Sequence, residues 1–162
     1  MIQALLQEFE YEMGTTRKVL DVVPEKDFGW KPHDKSMALG VLAGHVAQIP
    51  GWTVSTFTTD ELDVAGMKSE KLDTKAALLQ EFDKNVKNSI ETLKNVKPEQ
   101  LSQPWALKYS GQVLFSMPKG GVFRTWVLNH IYHHRGQLSV YLRMRNVPLP
   151  KIYGPTADDQ SF

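Results

Sequence analysis

Residues 121–146 read GVFRTWVLNHIYHHRGQLSVYLRMRN, and their spacing decides the fold. At ~3.6 residues per turn the stretch makes one helix of roughly seven turns. Phe123, Trp126, Val127, His130, His134, Gln137, Leu138 and Tyr141 fall on one stripe of it. That stripe is apolar except at two histidines one turn apart and at a glutamine beyond them. A polar group turned toward a core costs free energy unless something pairs with it. The stripe therefore predicts a partner for His130 and His134.

Working outward, three more amphipathic helices precede this one. Residues 2 to about 22 place Ile2, Leu5, Leu6, Phe9, Met13 and Leu20 at helical intervals, with Pro24 just beyond the end. The connection PEKDFGWKPHDK follows, and Ser36 is a plausible N-cap for the next helix. That helix is expected from about Met37 to about Thr58, with Ala38, Val41, Leu42, His45, Ile49 and Trp52 on one face. Pro50 should kink or end it. Gly40 and Gly44, one turn apart, would admit a neighbouring helix at close range.

Residues 59–72 are polar and read as a loop. Asp73 or Thr74 caps a third helix carrying Leu79, Phe82, Val86, Ile90 and Leu93, and Pro98 closes it. Trp105, Leu107 and Tyr109 alternate before Ser110-Gly111, and Val113, Phe115 and Met117 alternate after it. This period-two pattern about a turn predicts a short β-hairpin. Arg143 and Arg145 complement the dipole at the end of the last helix, and Asn146 is its stop. The tail VPLPKIYGPTADDQSF reads as extended chain lying over the body. The fold expected is all-α, a four-helix bundle in one domain over residues 1–162, with that hairpin before the last helix. Its long connections argue against a simple up-and-down order.

Composition narrows the function. Lys plus Arg number 19 against 18 Asp plus Glu, a net charge of +1, and the charges are interspersed. Nucleic acid and anionic membrane both call for a concentrated basic surface, so neither is an expected partner. Cysteine is absent, which removes thiolate ligands and nucleophiles. The amino terminus lacks the basic flank of a signal peptide and no apolar run reaches ~20 residues, so a cytoplasmic protein is expected.

Histidines at i and i+4 project from one side of a helix and can meet one metal ion. In helical metalloproteases a Glu follows the first of such a pair; here Ile131 stands there, which excludes that assignment. Two core histidines bonded to other groups are the alternative. His45, on a buried-looking face of another helix, offers a third imidazole. Three imidazoles and no thiolate leave a coordination position open, the pattern of catalytic zinc sites. Zinc and nickel are the divalent ions that suit such ligands first, with iron or copper also open. Gln137 either orients a ligand or is a satisfied core amide. His133 points off the stripe, and His33 lies in a loop beside Asp34. Gly136 suits close helix packing. The four tryptophans suit a core, with one or two lining a pocket. Tyr109 is a proton donor that no spacing ties to the histidines.

The stretch NHIYHHRGQLSVYLR, with His45 in LAGHVAQIPGW and the tail IYGPTAD, resembles the DinB/YfiT-like family over essentially the whole chain. The most specific part is His-x-x-His-His-Arg-Gly-Gln, with a lone helical histidine far upstream. The resemblance implies a four-helix bundle of unusual helix order that binds a divalent metal through three histidines. Those ligands fall on His45, His130 and His134. It further implies transfer of a low-molecular-weight thiol to a small molecule, and a homodimer; metal-dependent hydrolysis of a small molecule is the other reaction expected of such a site. A non-catalytic metal-dependent binding or sensor module is the alternative, because no residue is an evident general base or nucleophile.

Overall fold

Helix α1 (Ile2–Asp21) buries Phe9, Met13, Val19 and Leu20, the inner face of its apolar stripe. The computed structural model describes residues 2–67 and 71–160. After α1 a short 3₁₀ turn, Glu25–Asp27, leads to α2 (Leu39–Gln48). The first amides of α2 are met by the loop before it: Leu39 N–H donates to the Trp30 carbonyl (2.7 Å) and Gly40 N–H to that of Phe28 (2.9 Å). Those carbonyls satisfy the orphan donors of the first turn. Ser36 is thus not the cap; Ala38 takes that position, without a side-chain bond.

Pro50 breaks the second helix as expected. A 3₁₀ turn at Ile49–Gly51 separates α2 from α3 (Trp52–Thr58). Polar side chains of α4 (Lys75–Asn95) attend to the break: Asn85 Nδ2 donates to the Ala47 carbonyl (3.1 Å) and Ser89 Oγ to that of Pro50 (2.7 Å). Thr74 caps α4, accepting from Ala77 N–H at 3.1 Å. Gly40 does permit a close approach, but to the Phe28 ring, which a Cβ would meet at 2.8 Å, and not to a helix. The nearest neighbour of a Cβ on Gly44 is the Leu72 side chain. Val41 is exposed, outside the buried face assigned to it.

The all-α assignment fails on a sheet. Strands β1 (Glu61–Asp63), β2 (Pro104–Tyr109) and β3 (Gln112–Pro118) form a mixed three-stranded sheet in that order. β2 and β3 are the expected antiparallel hairpin, turning at Ser110 (φ 49°) and Gly111 (φ 79°). Two successive positive φ values match the twist of a tight hairpin. β1 lies in the segment read as loop and pairs parallel to β2, with Leu62 opposite Leu107. Its parallel sense needs a crossover, which α4 supplies. Asp63 fastens β1 to the hairpin turn: Ser110 N–H (3.1 Å) and Gly111 N–H (2.7 Å) both donate to its carboxylate.

The last helix is three segments, α5 (Lys119–Val122), a π-helical stretch Phe123–Asn129, and α6 (His130–Met144). The single regular α-helix expected there is therefore interrupted. Asn146 ends it with φ 56°; its N–H donates to the Arg143 carbonyl and that of Val147 to Leu142, both at 3.0 Å. This paired bonding satisfies carbonyls at the helix end. Phe9, Leu42, Phe82, Phe123, Ile131 and Leu138 meet in one core. The four long helical stretches thus pack as a bundle, and the sheet adds to them.

At the α1–α6 contact Arg135 is buried, 1% exposed. It pairs with Glu12 Oε2 (2.7 Å) and donates to Thr16 Oγ1 (3.0 Å) and to the Tyr153 hydroxyl (2.5 Å). Tyr153 in turn donates to Glu12 at 3.0 Å, which ties the tail to the body. Arg143 and Arg145 pair with Asp158 and Asp27 beyond their place at the helix end.

Candidate metal centre

The helix break and the π-helical stretch both lie next to the residues that matter here. His45 is in the last turn of α2, just ahead of the Pro50 break. His130 opens α6 immediately after the π segment, and His134 follows one turn on. A π turn is rare in helices and concentrates at functional sites. This one leaves Trp126 and His130 side by side, ring centroids 5.9 Å apart.

The three histidines converge. His130 Nε2 lies 2.9 Å from His45 Nε2 and 3.0 Å from His134 Nε2. One ligand atom from each of the three falls within 4.8 Å of the other two. On its far side His134 donates from Nδ1 to Gln137 Oε1 at 2.7 Å. That bond places the His134 proton on Nδ1 and leaves Nε2 a lone pair facing the cluster. His130 Nε2 faces both His45 Nε2 and His134 Nε2, and a single proton on it can point at only one of them. A single cation shared by all three nitrogens relieves that conflict.

Electrostatics favour the same form. Burial, and then the neighbouring imidazoles, push His130 down to about 4. Burial and the His134 ring lower His45. His134 is also lowered by burial, against the raising effect of its bond to Gln137. All three rings are therefore neutral near pH 7, the form in which imidazole coordinates a metal. The donor set contains nitrogen only, with no carboxylate, and fits a borderline divalent transition ion such as zinc or nickel.

A cavity of about 680 Å³ opens beside the cluster, with His45 and Trp52 in its wall. Its roof is the inner face of the sheet, Leu62 of β1, Trp105 and Leu107 of β2, and Phe115 of β3. Gln48, Glu81 and Asn85 supply polar groups, and Trp126 lines it beside Phe115. Glu81 is already engaged, by Lys84 Nζ at 2.5 Å and Asn85 Nδ2 at 3.0 Å. The Trp126 indole N–H is buried without a hydrogen-bond partner.

Other expectations fare unevenly. Gln137 meets His134 but is exposed, so it is not a core amide. His133 is exposed, and its ring touches only the edge of the His134 ring, 4.7 Å between centroids. His33 sits in its loop, accepting from Lys35 N–H. Gly136 is exposed and a Cβ there would meet nothing within 4 Å, so close packing is not its role. Three tryptophans line the cavity, more than expected, while Trp30 packs against Tyr141 and Arg145. Tyr109 is exposed at the hairpin turn and does not line the cavity. Sequence reading missed the roof: Leu62 stands alone between two acids, and period two in the hairpin gave no hint of what its inner face covers. No helix among the described residues is long and apolar enough to cross a membrane.

Known proteins resemble this chain in sequence or in fold. Protein YrdA of Bacillus subtilis (strain 168), uncharacterized, is 25% identical over 155 residues, 95% of this chain and 89% of that protein. A crystal structure of a DinB-like protein from Bacillus cereus ATCC 10987 superposes with a TM-score of 0.73 at 21% identity, covering 93% of this chain and 97% of that one. A second, of the DinB-like protein YjoA from Bacillus subtilis, gives 0.72 at 16% identity over 98% and 99% of the two chains. The two structural likenesses carry the fold. The model of the DinB family matches residues 1–160, a span that takes in all three histidines and the sheet, and the chain belongs to that family.

Proposed function

We propose that this protein is a metal-dependent enzyme of small-molecule chemistry, acting by hydrolysis or by transfer of a low-molecular-weight thiol. The convergence of His45, His130 and His134 on one point at the edge of a cavity carries this reading. A divalent ion there supplies Lewis acidity toward water, a thiol or a carbonyl oxygen, undiminished in charge by three neutral ligands. His45, His130 and His134 would hold that ion, and Gln137 would hold His134 in the required tautomer. The aromatic and aliphatic wall would exclude water and orient the substrate. Zinc and nickel are the ions proposed.

Glu81, the sole carboxylate among the described residues of the cavity wall, is already bonded to Lys84 and Asn85. That favours a second reading, a metal-dependent binding or sensor module without turnover. A screen of ester and amide hydrolysis, and of thiol-plus-electrophile pairs, separates the two. Turnover that disappears on metal depletion, returns on reloading and is lost in His134→Ala supports the enzyme. A metal-loaded protein that binds ligands and turns none over supports the module.

A further inference from the structure

The cavity wall is more selective than an apolar pocket needs to be. Trp52, Trp105, Phe115 and Trp126 all face it, from four different elements. Phe115 and Trp126 stack nearly parallel, with centroids 5.2 Å apart and planes at 8°. Trp105 lies against Phe115 at 6.4 Å, and Trp52 packs on the rings of both His45 (5.7 Å) and His130 (5.4 Å). An aromatic surface thus runs from the histidines to the sheet. Aromatic faces favour a further ring, stacked or edge-on, beyond what buried area alone gives.

Charge along this wall is nearly absent. No Lys or Arg lines the cavity among the described residues, and the Glu81 carboxylate is already met by Lys84. A charged group placed on the wall away from the histidines would lose its hydration without a counter-ion. The volume, about 680 Å³, suits a ligand of one or two rings, within the roughly 300–1,000 Å³ of small-molecule sites.

We propose that the sheet-covered wall is an aromatic subsite, taking an uncharged ring of the substrate while its polar reacting group faces His45, His130 and His134. The orientation toward the histidines rests on the function proposed above; the subsite itself rests on the wall. Phe115 is its specificity residue, the side chain that carries the aromatic surface from Trp126 onto the sheet.

Isothermal titration of the full chain with 2-naphthamide, its decahydro counterpart and 6-sulfo-2-naphthamide tests this, with metal content measured in the same samples. The expected order is 2-naphthamide tighter than the saturated amide by about tenfold, and tighter than the sulfonate by at least about tenfold. Phe115→Leu keeps an apolar side chain of similar size and should remove most of the preference for the aromatic ring. Phe115→Trp should retain it, and circular dichroism checks the fold of both. Equal binding of the aromatic and saturated amides, equal binding of the sulfonate, or a preference untouched in Phe115→Leu would overturn the proposal. Protein that takes up no metal even with added zinc or nickel, yet keeps the preference, would instead overturn the metal reading and leave the subsite standing. Metal-loaded protein without the preference would do the reverse.

Discussion

Gln137 Oε1 lies 2.7 Å from His134 Nδ1, and this contact decides which nitrogen of His134 faces the other two histidines. An amide oxygen can only accept, so Nδ1 carries the proton and Nε2 keeps its lone pair. Gln137 is exposed and contributes little to the core, so its removal tests the site rather than the fold. Gln137→Leu should weaken metal affinity by roughly 10- to 100-fold with a near-native melting temperature. Gln137→Glu, which keeps an acceptor there, should restore most of the loss. Competition against a chromogenic chelator reads both, and parental affinity in Gln137→Leu would remove the residue from the site.

Arg135 follows His134 in the chain but serves the fold. Its guanidinium, 1% exposed, is enclosed by Glu12, Thr16 and Tyr153. Taking one partner from a buried pair leaves the other charge uncompensated, at a cost of about 3–5 kcal/mol. Arg135→Met should lower stability to urea by about that amount, and Tyr153→Phe by only about 1 kcal/mol. Equal and small effects would show that the pair is dispensable.

Asp63 should make the acid limb of stability depend on the sheet. Bonds from the Ala65, Gly111 and Ser110 amides hold its carboxyl below the ordinary 3.8. Glu8, bonded by both Arg124 nitrogens at 2.5 and 2.9 Å and by the Tyr132 hydroxyl, is likewise held below 4.5. A carboxyl depressed in the folded state stabilises fully above its unfolded pKa, and the effect is lost as pH falls through the folded value. Asp63→Ala should therefore have a lower urea midpoint than the parent at neutral pH. The two should draw together as pH falls below about 4. A gap that stays constant down to about pH 2 would show that the carboxylate charge is not what holds the turn.

Legibility in the sequence followed periodicity. The bundle, the Pro50 break, the Thr74 cap and the hairpin could all be read, because each rests on a repeat or on a residue with one dominant conformational effect. His45, His130 and His134 stood out as polar interruptions of apolar stripes, and the structure brings them together. β1 could not be read: Glu-Leu-Asp is too short to show a period, and its pairing is set by the distant β2 and the Asp63 clasp. The π segment also left no trace, since Trp126 and His130 fit an α stripe equally well. Ser36 misled because main-chain carbonyls of the preceding loop took the bonds a cap would have made.

The proposed function requires that His45, His130 and His134 hold one metal ion. Elemental analysis by inductively coupled plasma mass spectrometry, on the purified untagged protein and its His130→Ala variant, is the decisive measurement. About one equivalent of a transition metal, zinc or nickel, should accompany the parent and little should remain in the variant. A parent that holds no metal even after incubation with zinc or nickel, or a variant that holds as much as the parent, would contradict it.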